Sequence, residues 1–125
     1  GMSEEKYVLI VEDDPFYSSI YKTKVEKEGI RAVLVHDGAA AMKAIREKRP
    51  AVVVLDLIMP GKDGFQVLEE LKADPAFKDL VVLVLSNLSQ DEDIKRVMDM
   101  GATESLIKSN VPLQEVIAKV RSYIS

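Results

Sequence analysis

Five short apolar runs decide what this chain can fold into. They lie near Tyr7 to Val11, Ala32 to Val35, Ala51 to Leu55, Leu80 to Leu85 and Ser105 to Ile107, and each leads into a segment of helical period. Strand and helix alternating five times imply right-handed crossovers, a parallel sheet and helices on both of its faces. The third run is unbroken and rich in β-branched residues, as a strand covered on both sides must be, whereas a half-exposed antiparallel strand would alternate. The expected class is therefore α/β, three layers deep and doubly wound.

The segments between the runs carry their own start and stop signals. Asp14 can cap a first helix with Pro15 in its first turn, and Tyr17, Ile20, Tyr21 and Val25 mark its expected buried stripe. Gly29 ends it. Asp37-Gly38 opens a second helix built on Ala41, Ala44 and Ile45, whose small residues imply close packing on the sheet. Asp63 followed by Gln66 reads as a capping pair for a third helix carrying Phe65, Val67, Leu68 and Leu71, which stops near Asp74-Pro75. Ser89 with Glu92 predicts a second capping box, before a helix with Ile94, Val97 and Met98 that Gly101 closes. The last helix starts near Pro112 and repeats Leu113, Val116, Ile117, Val120 and Ile124.

At 125 residues the chain fits one domain, expected to span 1–125, with Gly1 ahead of Met2 read as a scar of tag removal. No window is apolar enough to cross a membrane and no signal peptide is evident, so the expected setting is cytoplasmic. The absence of cysteine excludes disulfides, thiolate catalysis and Cys-ligated metals, which leaves oxygen donors or the single His36 for any cation. His36, without an acidic or histidine neighbour in sequence, reads as a surface residue. A net charge of −4 with scattered Lys and Arg argues against nucleic-acid binding by this domain itself.

The polar residues that end the strands complete the sequence reading. Glu12 and Asp13 follow the first, Asp56 the third, Ser86 the fourth and Lys108 the fifth, so all five fall at one edge of the sheet. Ligands of doubly wound folds bind at that edge. Three carboxylates in one cleft repel one another unless a cation joins them, and magnesium takes one or two carboxylates, waters and a phosphate oxygen. Acids beside a hydroxyl and a lysine therefore suggest phosphoryl chemistry.

Over nearly its whole length the sequence resembles the CheY-like receiver domains of bacterial two-component response regulators. The matching residues are Glu12-Asp13, Asp56 with Met59-Pro60 and Asp63-Gly64, Ser86, Gly101-Ala102 and Lys108. The resemblance implies a flavodoxin-like sheet of order 2-1-3-4-5 and a regulatory phosphoacceptor rather than an enzyme, able only to take and slowly lose its own phosphoryl group. Asp56 would receive that group from a phosphohistidine on a sensor histidine kinase or histidine phosphotransfer protein. Asp13 and Asp56 would ligate Mg2+ directly, with Glu12 acting through water and the backbone carbonyl of Ile58 completing the protein's share. Lys108 and the Ser86 hydroxyl would contact phosphoryl oxygens and so bias a conformational switch.

The resemblance also implies an output face on the fourth helix, fifth strand and fifth helix, with Lys95, Arg96, Asp99, Ser105 and Lys119 as candidates. The output partner or missing output domain stays unassigned, and the chain reads as either a stand-alone receiver or the amino-terminal domain of a longer protein. Three positions depart from the family pattern. Ser109 stands where proline usually follows the lysine through a cis peptide, so either packing enforces a cis bond or the lysine is presented differently. Ser105 replaces an aromatic residue, which removes the familiar ring-flip readout. Asn87 replaces a small residue, either narrowing access to the phosphoryl group or hydrogen-bonding it, and apolar Ile58 and Leu88 would limit attacking water.

A phosphorylation-independent interaction module on the same scaffold is the alternative function. Two enzyme classes fit less well. A flavodoxin needs small hydroxyl residues where Glu12, Asp13 and Asp14 stand, and a haloacid-dehalogenase-type phosphatase needs an acid where Ile58 stands.

Overall fold

The computed structural model describes residues 6–88 and 90–124. In chain order they form β1 (Tyr7–Val11), α1 (Pro15–Lys27), β2 (Arg31–Val35), α2 (Gly38–Glu47), β3 (Val52–Leu55), α3 (Gly64–Ala73), β4 (Val81–Ser86), α4 (Asp91–Asp99), β5 (Glu104–Ile107) and α5 (Leu113–Ile124). The strands make one sheet of order β2-β1-β3-β4-β5, every pairing parallel. β1 lies at the centre of the winding: the chain leaves it for β2 on one side and returns to β3 on the other. A crevice opens beyond the carboxyl ends of strands at such a reversal.

The pleat divides the core in two. Tyr7, Leu9, Val11, Val53, Leu55, Val82 and Val84 face α2, α3 and α4, where they pack with Met42, Ile45, Leu68, Leu71 and Val97. Val8, Ile10, Val52, Val54, Leu83 and Leu85 face α1 and α5, against Tyr21, Val25, Val116, Ile117 and Val120. β1 and β3 are buried on both faces, which is why their sequence shows no alternation.

The local signals act as the sequence predicts at most helix ends. Asp14 Oδ1 accepts from Phe16 N–H at 2.9 Å with Pro15 in the first turn, and Asp37 caps α2 through Ala40 N–H at 2.8 Å. Asp63 and Gln66 form the reciprocal capping box of α3 at 2.9 and 2.8 Å. At α4 the N-cap is Gln90, which makes no side-chain cap bond, while Ser89, expected to open a capping box there, lies outside the described residues.

Two predicted stripes are corrected by packing. In α1 the buried residues are Ser18, Tyr21 and Val25, and Tyr17 is exposed. The helix presents Ser18 to the sheet, its hydroxyl donating to the Pro15 carbonyl at 3.3 Å, which turns Tyr17 toward the strand tips. In α4 only Val97 is buried and Met98 is largely open.

Candidate functional site

The carboxyl ends of β1, β3, β4 and β5 carry the polar residues expected there, and backbone hydrogen bonds hold each tip. Glu12 N–H donates to the Val35 carbonyl at 3.1 Å, and Asp56 N–H to the Val11 carbonyl at 3.0 Å. Carboxylates from β1 and β3 therefore arrive side by side. Asp56 Oδ1 accepts from Ile58 N–H at 3.3 Å, which fixes its rotation within the turn. Ser86 is fully buried, and its Oγ accepts from Leu88 N–H at 3.3 Å. Lys108 N–H donates to the Ser86 carbonyl at 2.9 Å, tying the tip of β5 to that of β4.

The β3–α3 loop is braced from outside. Glu70 accepts from Lys62 at 2.5 Å and from Arg46 at 2.6 Å, joining loop, α2 and α3, and both cations hold its carboxyl below the usual range. This stabilisation is complete above the ordinary glutamate pKa and is lost as pH falls through the lowered folded value. With a third of the side chain exposed, solvent screens the pair. Glu70→Gln is expected to cost only about 0.5 kcal/mol near neutrality. Urea denaturation should show that cost vanishing once the medium is acid enough to protonate Glu70.

In the pocket, one carboxylate oxygen from each of Glu12, Asp13 and Asp56 lies within 4.8 Å of the others. Glu12 and Asp56 are buried while Asp13 faces solvent. The Lys108 ammonium sits among them, 2.5 Å from Glu12 Oε1 and 3.5 Å from Asp56 Oδ2. Burial acts to lower the Lys108 pKa, but the hydrogen bond to Glu12 and the charge of Asp56 outweigh it and raise the pKa above its ordinary value. Burial likewise pushes the Glu12 carboxyl upward, against the opposing pull of Lys108 and of the Asp14 N–H, which donates to Oε2 at 3.0 Å.

This donor set fits a small hard divalent cation: oxygen ligands only, three acids close enough to share one ion, and solvent access through Asp13. Two of these carboxylates, Glu12 and Asp56, also hold Lys108, so cation and ammonium would compete for Glu12.

Sequence reasoning missed two neighbours of this pocket. The ring of Tyr17 covers the Lys108 ammonium, 4.7 Å from nitrogen to centroid, and stacks on Tyr21 at 6.3 Å. A core-like spacing hid that role. His36 is exposed as expected, yet its Nδ1 lies 3.0 Å from the Glu12 carbonyl oxygen. Of the departures, Ser105 is half-buried and the Lys108–Ser109 peptide is trans. Among the output-face candidates, Lys95 pairs with Asp99 at 2.7 Å, Lys119 pairs with Glu104 at 2.8 Å and Arg96 lies 4.0 Å over the Phe65 ring.

Residues 8–121 match the family described as the response regulator receiver domain. The chain belongs to that family. The receiver domain is 31% identical over 115 residues to the DNA-binding response regulator MtrA of Mycolicibacterium smegmatis, an alignment that takes in 92% of this chain and 49% of MtrA. It thus spans about half the length of the curated relatives it matches. Among solved structures it is similar to the receiver domain of the Francisella response regulator 1452, with TM-score 0.87, 28% identity, and coverage of 95% of this chain and 96% of that one. It is also similar to the Mn2+-bound form of response regulator Rcp1, with TM-score 0.78, 29% identity, and coverage of 94% and 90%. The receiver domain's fold is the CheY-like one, and none of its described helices is long and apolar enough to cross a membrane.

Proposed function

We propose that this receiver domain is a phosphoacceptor in two-component signalling, with Asp56 as the nucleophile. The observation that carries the reading is the joint placement of Asp56, two further carboxylates, Ser86 and the Lys108 ammonium at four adjoining strand tips. A carboxylate oxygen of Asp56 would attack phosphorus, the P–N bond to a donor histidine would break, and the imidazole would leave with a proton. Ile58 N–H orients the carboxylate for this step. Because Ser86 Oγ already accepts from Leu88, its O–H remains to donate to a phosphoryl oxygen. Lys108 supplies a point charge to another.

Glu12, Asp13 and Asp56, with the Ile58 carbonyl, would hold Mg2+, which when bound offsets the negative charge gathering in the pocket. The partner would be a histidine kinase or histidine phosphotransfer protein. The response would pass from Ser86 and Lys108 toward α4, β5 and α5, and any output domain lies outside this chain.

Intact mass after incubation with magnesium and a small acyl phosphate tests the proposal. The expected result is a gain of one phosphoryl group that requires magnesium and maps to Asp56. No gain from folded protein, under donor and metal excess, would count instead for a phosphorylation-independent interaction module.

A further inference from the structure

Successive N–H groups of a strand point to opposite sides. Past β5 the chain breaks that rule: the N–H groups of Lys108 and Ser109 both turn back toward the end of β4. Lys108 N–H donates to the Ser86 carbonyl at 2.9 Å, and Ser109 N–H donates to the side-chain Oδ1 of Asn87 at 2.9 Å. A turn starting at Ile107 makes this possible, its carbonyl accepting from Asn110 N–H at 2.9 Å and Val111 N–H at 3.1 Å. A backbone N–H only donates, so Asn87 must present its carbonyl oxygen, which fixes the orientation of the amide.

The consequence falls on the residue between. Lys108 has its own N–H anchored to Ser86 at the end of β4 and the next N–H anchored to Asn87 just beyond it, while its ammonium reaches Glu12 and Asp56 and lies under the Tyr17 ring. Proline at 109 would have no N–H for Asn87 to receive, so serine there and asparagine at 87 work as a pair. We propose that Asn87 is a positioning residue for phosphoryl transfer: through the Ser109 N–H it fixes the backbone of Lys108, and so the place where the ammonium meets the group on Asp56. The inference rests on the phosphoacceptor reading of Asp56.

The test compares wild-type protein, Asn87→Ala, Asn87→Asp, Lys108→Met and the Asn87→Ala/Lys108→Met double variant. In metal-free protein, amide hydrogen exchange at Ser109 should be roughly fivefold faster in Asn87→Ala. Asn87→Asp keeps an acceptor oxygen at the same place and should retain the wild-type exchange rate. With a small acyl phosphate and saturating magnesium, Asn87→Ala should be phosphorylated roughly fivefold more slowly, while its half-saturating magnesium concentration stays at the wild-type value. In the Lys108→Met background, Asn87→Ala should slow phosphorylation no further, because a residue that acts through the lysine has nothing left to position.

Unchanged exchange at Ser109, a parallel loss of magnesium binding, or a full Asn87→Ala effect without Lys108 would each overturn the assignment. If wild-type protein takes no phosphoryl group, the phosphoacceptor reading falls and this one with it. If wild type is phosphorylated and Asn87→Ala matches it, only the positioning role falls.

Discussion

Gly64→Ala should unfold this protein at far lower urea than Gly29→Ala. A β-carbon at residue 64 would stand 2.6 Å from the Leu57 Cα and 3.0 Å from the Asp56 carbonyl carbon, and closer still to the Asp56 carbonyl oxygen. All three are backbone atoms, so no side chain can rotate aside. The approach is close because Gly64 N–H donates to the Leu57 carbonyl at 2.9 Å while Asp63 starts α3 from its capping box. Relief requires moving either the helix or the strand tip that carries Asp56.

Overpacking against fixed atoms costs about 1–3 kcal/mol, and this site belongs at or above the top of that range. Gly29→Ala is the control. Gly29 has φ +81° but open space around it, so the change costs only the left-handed conformation, about 1–2 kcal/mol. Urea midpoints at constant slope separate the two, and magnesium titration gives a second reading: Gly64→Ala should weaken binding by moving Asp56, and Gly29→Ala should leave it alone. A Gly64 variant as stable as the Gly29 variant would mean that the turn after β3 yields more readily than its contacts imply.

That turn also shows which parts of the structure the sequence discloses. Asp56 was legible because its signals are local: a β-branched run, a carboxylate at its end, and Asp63 with Gln66 three residues apart. Alternation of strands and helices disclosed the class, and strand-end position alone gathered Glu12, Asp13, Ser86 and Lys108 at one edge. What stayed hidden depends on rotation about helix axes or on distant pairs. Tyr17 and Ser18 exchange their expected places because a stripe specifies a face only to within about one residue, and the sheet selects the smaller side chain. Asn87 and Ser109 each stand out in the sequence by type, but they are 22 positions apart and nothing in the sequence joins one to the other. The placement of Lys108 on Glu12 in preference to Asp56 is likewise a matter of distance, 2.5 against 3.5 Å, that no spacing encodes.

That asymmetry leads to the largest electrostatic effect expected here. Lys108→Met keeps length and apolar volume but removes the positive charge shared by two carboxylates whose side chains are 4% and 9% exposed, Glu12 and Asp56. Removing one partner of a buried pair typically costs about 3–5 kcal/mol, because the charge left behind is neither solvated nor matched. In chelator, the variant's stability to urea should fall by roughly that amount. The loss should shrink in acid, as protonation of a carboxyl relieves the repulsion. Magnesium should then stabilise the variant more than the wild type, since no ammonium competes for Glu12 and binding to the folded form alone adds stability as RT ln(1 + [L]/Kd). Phosphorylation should nevertheless be slower, because the charge that meets the phosphoryl oxygens is gone. Tighter metal binding with slower phosphoryl transfer is a pair of opposite changes that simple damage to the pocket would not produce. If stability in chelator and the response to magnesium both match wild type, the ammonium contributes nothing to holding these acids together, and its place beside Glu12 has no energetic consequence.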